Sequence, residues 1–423
     1  MFIFFFIFSN SYSQFVVQNT PATDYLISIS SPSNSVAWAC GNNHQIIRTT
    51  NGGTNWVNAL GNLPFGTLFV QVWAMDSLTA HLSATGPGFI DAYIFKTTNG
   101  GVSWSQTFFQ ANGFINGISF KDDLTGFAEG DPVAGRWTLL KTSNGGSSWD
   151  SLGMNLPDAF NEFGAARSIF YEGSKIWFGT LNTSKIYSST NNGISWFSSH
   201  ISLSSAQSIY FNDAINGKGL ATDSYGENDT TIIKTSDGIN WLKQNQPNSD
   251  IITSLTGLSG SSNYWITKDS GIYRSTNDGN SWSKIYNNLP LSSLPNSICT
   301  SRSGSSPRSI YAGRHDGKII KGDVTSEVIT LSSKVPDKFE LFQNYPNPFN
   351  PTTKINFKIK ESGYITLKVF DLQGKEVSTL IDQIMNFGSY SIDFNSNNLS
   401  SGIYFYQLSN DLLIESKKMI LLK

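Results

Sequence analysis

The stretch Thr97-Thr-Asn-Gly-Gly-Val-Ser-Trp104 decides the fold, because the chain spells it six times with small changes. The other copies are Thr49-Thr-Asn-Gly-Gly-Thr-Asn-Trp56, Thr142-Ser-Asn-Gly-Gly-Ser-Ser-Trp149, Ser189-Thr-Asn-Asn-Gly-Ile-Ser-Trp196, Thr235-Ser-Asp-Gly-Ile-Asn-Trp241 and Ser275-Thr-Asn-Asp-Gly-Asn-Ser-Trp282. Successive tryptophans lie 48, 45, 47, 45 and 41 residues apart. Such a unit cannot bury an apolar face alone and must stack on its neighbours, and a period of about 40–50 residues is that of a four-stranded propeller blade.

Each position of the repeat has a physical task. Gly53, Gly101, Gly146, Gly193, Gly238 and Gly279 stand three before each Trp, where the backbone needs positive φ. Asn51, Asn99, Asn144, Asn191, Asp237 and Asn277 are placed to accept N–H groups two or three residues on. The tryptophan ring then buries beneath the turn and locks the hairpin to its own blade. Before the first copy, Tyr25–Ser30, Ser35–Cys40 and Gln45–Thr49 alternate as strands, and the segment from Trp56 to Leu60 continues beyond it. After the sixth copy, Asn296–Ser301, Arg308–Gly313 and Lys318–Asp323 lack a fourth strand, while Phe15–Gln18 is a strand without a blade. Joining them predicts a seventh blade closed by both ends of residues 14–328, which leaves no open sheet edge.

These turns resemble the Asp-box, or BNR repeat, of sialidases, xyloglucanase-type glycoside hydrolases and photosystem II assembly-factor-like propellers. The resemblance implies a structural role for the boxes, away from the ligand-binding face. From residue 337 to 423 a different pattern runs, after a linker over 329–336. Strands are expected at Lys354–Ile359, Tyr364–Asp371, Glu376–Leu380, Gly388–Asn395 and around Ile403–Leu408, and the alternation of Ile365, Leu367 and Val369 argues a small Ig-like β-sandwich. The segments Asn344-Tyr-Pro-Asn-Pro-Phe-Asn-Pro351, Val369-Phe-Asp-Leu-Gln-Gly374 and Leu399-Ser-Ser-Gly-Ile-Tyr404, with a Lys-rich tail, resemble the type A sorting domain of type IX secretion cargo. That resemblance implies the type IX machinery as a partner of residues 337–423 and a bacterial protein that is secreted or held at the outer-membrane surface. The Pro-rich segment reads as a connector holding the sandwich off the propeller. The overall expectation is all-β: a seven-bladed β-propeller followed by a small sandwich.

Composition narrows the function. Lys and Arg number 29 against 31 Asp and Glu, so no net field favours nucleic acid. The apolar start, Met1 to Phe8, is far short of the ~20 residues that span a bilayer. With Ser11 and Ser13 it reads as a signal peptide cleaved before Gln14, although the usual basic start is missing. Cys40 and Cys299 lack metal or redox spacing and read as small core residues; a bridge would require the propeller's ends to adjoin. The four histidines, His44, His81, His200 and His315, are scattered and read as surface or turn residues.

No nucleotide, phosphate, metal or cofactor motif is present. A sialidase grips its carboxylate with three arginines, yet only Arg48, Arg136, Arg167, Arg274, Arg302, Arg308 and Arg314 occur, and Arg48 and Arg274 directly precede boxes. The face opposite the boxes is built by second-to-third-strand loops and blade-to-blade connections. The enlarged ones span Ser83–Tyr93, Glu129–Trp137, Ser151–Arg167 and Thr222–Thr231. They offer Glu129, Asp131, Arg136, Trp137, Glu162, Arg167 and Tyr225 as candidate ligand contacts, with Asp91, Tyr93, Asp158, Asp223 and Glu227 nearby. Rings with carboxylates suit a sugar or a peptide. The expected function is a non-catalytic propeller that binds a protein or glycan. The alternative is a glycoside hydrolase using a carboxylate pair among Glu129, Asp131, Asp158, Glu162 and Asp223.

Overall fold

Short alternating segments between tight turns give an all-β chain, seen in a computed structural model. It describes residues 15–151, 156, 162–181, 183, 185–201, 208–213, 218–222, 231–244, 246–247, 251–258, 263–268, 271–287, 294–303, 308–324, 329–332, 335–350, 352–396, 399–410 and 412–422. The expected signal peptide lies outside these residues. Two compact units result, with the main break between Asp323 and Val324.

The first unit holds seven sheets among the described residues. Their innermost strands are Leu26–Ser33, Leu68–Ala74, Ile115–Phe120, Phe163–Glu172, Ser208–Asp213, Ile252–Gly257 and Pro295–Thr300, of blades I to VII. Each touches the next, and the last returns to the first, closing a ring. The ring closes as the sequence implies: Val16–Gln18 pairs antiparallel with Ile319–Lys321 as the outer strand of blade VII. Side chains lace the innermost strands together where sheet edges leave backbone N–H groups unpaired. Ser28 Oγ and Ser30 Oγ accept from Val72 N (3.2 Å) and Ala74 N (3.1 Å), Gln71 Oε1 from Ile118 N (2.6 Å), and Ser254 Oγ from Ile298 N (3.3 Å).

In all six copies of the repeated turn the Ser or Thr hydroxyl bonds the Asn or Asp two residues on and accepts from the Gly N–H. In the second copy Thr97 Oγ1 donates to Asn99 Oδ1 (3.0 Å) and accepts from Gly101 N (3.0 Å), while Asn99 Oδ1 accepts from Ser103 N (3.0 Å). The Asn here reaches four residues on, whereas Asn144 Oδ1 also accepts from Ser147 N (3.1 Å) three on, and Asp237 Oδ1 accepts from Ile239 N and Asn240 N (both 2.8 Å) two and three on. The buried Ser or Thr two positions earlier shares the work, as Thr142 and Ser275 also show. Gly101 has φ 82°, and a Cβ there would strike Ala59 of blade I. The tryptophans lock their own blades as expected, Trp149 on Phe120 (5.8 Å), Trp196 on Phe178 (5.2 Å) and Trp241 on Phe211 (5.9 Å), and several also reach the preceding blade. Trp56 meets Tyr311 of blade VII edge-on (6.3 Å), Trp104 meets Trp38 of blade I (6.1 Å), and Trp196 meets Phe127 of blade III (5.7 Å). Trp104 Nε1 donates to Ala59 O (2.9 Å). In these three copies the ring also bridges to the blade before.

The second unit is a sandwich of two four-stranded sheets around one core that includes Ile365, Leu367, Val369, Tyr406 and Phe349. Two expectations change here. Ile329–Ser332, expected in a linker, pairs with Gly388–Asn395 and belongs to the sandwich. The Pro-rich segment is not a free connector. Buried Asn344 donates through Nδ2 to Pro346 O (3.0 Å) and Thr353 Oγ1 (2.9 Å), and Phe349 N donates to Ile420 O (2.9 Å).

Candidate functional site

The turn between the second and third strands of blade III was expected to be an enlarged loop over 129–137. Instead Gly126–Val133 and Arg136–Thr142 are continuous strands joined by Ala134 and Gly135, both at positive φ (53° and 76°). Glu129 and Asp131 therefore lie two apart on one strand, toward the same face. Glu129 is 0% exposed, and neither carboxylate oxygen has a hydrogen-bond partner. Burial, then the charge of Asp131, pushes its carboxyl well above the usual range. Asp131 Oδ1 accepts from Asn116 Nδ2 (2.7 Å) and from Gly164 N (2.8 Å), and burial raises its carboxyl as well.

The other candidates divide. Glu162 is buried, ion-paired with Lys185 and hydrogen-bonded by Tyr187 Oη (2.7 Å), so it ties the start of blade IV to that blade's third strand. Trp137, a candidate ligand contact by sequence, is instead core: it packs on Phe178 (5.1 Å) and Tyr187 (5.6 Å) between blades III and IV. Arg136 is exposed at the hairpin end. Tyr225, Asp158, Asp223 and Glu227 lie outside the described residues. Tyr93 stacks on Phe95 (5.7 Å), and Asp91 Oδ1 accepts from Asn112 N (3.3 Å).

Arg167 is placed unlike the rest. The register of the blade IV innermost strand jumps between Gly164 and Ile169, and inside that bulge Arg167 has φ 65°. Its Nη1 donates to Ile27 O (2.9 Å) on blade I, three blades away, the greatest separation in a ring of seven. The side chain thus crosses the axis.

Sequence reading missed an aromatic ridge at the same end. His44 Nδ1 lies 3.2 Å from Thr67 O, and its ring meets Phe65 (6.1 Å) and Phe69 (5.0 Å). Pro87 adjoins Gly66, and Phe89 reaches Phe114 (6.4 Å). Phe65, Phe89 and Ile90 are 96%, 64% and 58% exposed. Their signal was available: apolar residues in turns that no strand pattern needs. His81 corrects the reading of the histidines, being fully buried in a blade II strand, stacked on Phe120 (4.6 Å) with both ring nitrogens unpartnered. The cysteines are free thiols even though blades VII and I adjoin.

Comparison with known proteins fits both units. Residues 343–422 match the secretion system C-terminal sorting domain, and residues 145–329 match the DUF6242 β-propeller domain. No curated protein matches the chain. Among solved structures, YCF48 bound to D1 peptide is similar at 16% identity and TM-score 0.54, covering 73% of this chain and 96% of that one. YCF48 from Cyanidioschyzon merolae gives 16% and 0.53, covering 73% and 98%. An ancestral GH74 enzyme gives 13% and 0.50, with 95% of this chain matched to 63% of the enzyme. At these identities the likeness is one of fold. The sorting domain marks the chain for type IX export to the outside of the cell or the outer-membrane surface, and the chain is an exported β-propeller protein.

Proposed function

We propose that the propeller is a non-catalytic binding module, and that its ligand, a polypeptide or a glycan, lies on the end where the innermost strands begin. One contrast carries the reading. The described carboxylates there are engaged or sealed, with Glu162 ion-paired, Asp131 hydrogen-bonded and Glu129 buried, while Phe65, Phe89 and Ile90 stand largely in solvent outside the buried core. Exposed rings that gain area on contact are what a binding surface requires. YCF48, of similar fold, has been solved with a peptide, which is a precedent for the fold and not for the ligand. The repeated turns, read as Asp-boxes, keep their structural role.

A hydrolase reading has one feature in its favour: burial and the neighbouring Asp131 push the Glu129 carboxyl well above the usual range, the direction a general acid requires. Its burial counts against it, because no substrate oxygen reaches a sealed carboxyl. The test is a peptide array, a glycan array and chromogenic glycosides applied to the full chain, with Phe65→Ala/Phe89→Ala, Glu129→Gln and Glu162→Gln variants. Binding lost in the aromatic double variant, with no turnover, supports the module. Turnover abolished by Glu129→Gln overturns it.

A further inference from the structure

The axis of the ring carries charge that nothing described neutralises. By sequence the seven innermost strands hold three charged residues, Arg167, Glu172 and Asp213, and the last two end their strands at the opposite end from Arg167. Arg302, just after the blade VII strand, is the second axial cation. Its Nη1 donates to Ser30 Oγ (3.0 Å), its Nη2 to Ala74 O, and its guanidinium lies 4.3 Å over Trp73. Arg167 makes one hydrogen bond, to a neutral carbonyl. Among the described residues neither arginine has a carboxylate partner. The nearby thiols do not compensate, since burial pushes Cys40 and Cys299 up to about 12 and keeps both neutral.

Two features set Arg167 apart from a residue that merely fills space. Positive φ at a non-glycine residue costs about 1 kcal/mol or more and persists only where the surroundings impose it. A desolvated cation without a counter-ion is a further cost, removed when an anion arrives. The guanidinium is a planar fork of donors suited to a carboxylate, and its burial among neutral groups strengthens its field.

We propose that Arg167 is the receptor of an axial anion site that takes a ligand's carboxylate where the innermost strands begin. Arg302 adds positive potential from the other end and is not itself the receptor, because two hydrogen bonds and the Trp73 ring hold its guanidinium against blades I and II. The proposal deepens the binding-module reading and rests on the same face of the ring, but its first test does not require that reading. The full chain is titrated with sodium formate and, separately, with formamide at constant ionic strength, following unfolding temperature. Arg167→Gly removes the guanidinium while suiting the backbone, and Arg167→Lys keeps charge without the fork. A saturable formate-dependent rise in the wild type, reduced in Arg167→Lys and absent in Arg167→Gly and with formamide, supports the site. No formate response, or an equal response in Arg167→Gly, overturns it.

A second arm compares short acidic peptides as free acids and amides, and glucuronate with glucose. A tenfold or greater preference for the acid form in either series, lost in Arg167→Gly, supports the site and names the carboxylate's source. Binding without such preference overturns the site but leaves the binding module standing. A formate response with no ligand bound by the aromatic ridge does the reverse.

Discussion

Two buried ionisable residues make the sharpest statements about single side chains, and they act in opposite directions on the pH axis. His81 is sealed between blades, and burial, then the charge of Lys96, lowers its pKa from 6.5 to about 3. Above pH 6.5 the ring is neutral in folded and unfolded chain alike. As pH falls from 6.5 to about 3 only the unfolded chain takes the proton, so stability drains at about 1.4 kcal/mol per pH unit. His81→Leu loses no hydrogen bond, because the ring nitrogens make none. It should leave stability near neutrality little changed and flatten urea midpoints measured from pH 6.5 to 4; an unchanged slope would show that His81 is not the titrating group. Glu129 runs the other way. Its folded pKa is raised, so stability is complete below about 4.5 and is lost as pH climbs toward the folded value. Glu129→Gln removes that loss and is expected to raise the stability of the chain at pH 8 relative to the wild type. Destabilisation by Gln, seen in the same denaturant titration, would mean that the ionised carboxylate has a partner in solution.

At the scale of the element, the repeated turn was legible because every role is filled within eight consecutive residues: hydroxyl, Asn, Gly and Trp in fixed order. What lay outside that window was not. Arg48, Lys96, Lys141, Lys234 and Arg274 directly precede five of the six turns, a regularity visible in the sequence. Only the folded ring shows its use. Lys96 Nζ donates to Ser147 Oγ (3.0 Å) in the next blade's turn, Lys234 Nζ to Asp278 O (3.0 Å), and Arg48 to Ser77 O beside Gly100. The hairpin at 129–137 was misread for a local reason. Gly130-Asp-Pro-Val-Ala-Gly135 has loop composition, but Pro132 falls where the ladder's register shifts, so no pairing donor is missed. Arg167 could not be found by spacing, since the carbonyl it meets is 140 residues away across a closed ring. These contacts rank the expected costs. Gly101→Ala meets both a φ of 82° and the backbone of blade I, and should cost roughly 2–4 kcal/mol. Lys96→Ala removes only a partly exposed hydrogen bond between blades and should cost under about 1 kcal/mol. Chemical denaturation of both variants checks the order, and a reversal would mean that the inter-blade cations, rather than the turns, carry the seam.

For the whole molecule the decisive event is closure. A ring of sheets has no weak seam only if the first and last blades hold each other, and here the lock is the three-residue strand Val16–Gln18. Gln18 secures it twice: Nε2 donates to Gly52 O (3.1 Å) and Oε1 accepts from Trp56 Nε1 (3.0 Å), coupling blade VII to the first repeated turn. Phe15 lies against Gly322 and meets Tyr286 (5.6 Å), carrying the contact to blade VI. The sequence exposed this strand as an orphan, and closure follows from the cost of leaving the blade VII edge unpaired. Gln18→Ala leaves the mostly buried Trp56 N–H without its partner, which should cost about 1–3 kcal/mol. Removing residues 14–18 does more, because it bares the Ile319–Val324 edge and releases Trp56 and Phe15 contacts together. The shortened chain should unfold several degrees lower and with a broader transition, blades VII and I fraying ahead of the rest. Hydrogen exchange resolves this: amides of Arg308–Arg314, Ile319–Val324 and Val36–Gly41 should lose protection while those of blades III and IV keep theirs. Uniform loss around the ring would mean that the blades unfold as one cooperative unit. Unchanged protection at Ile319–Val324 would mean that the ring is held shut by its innermost strands and not by the terminal strand.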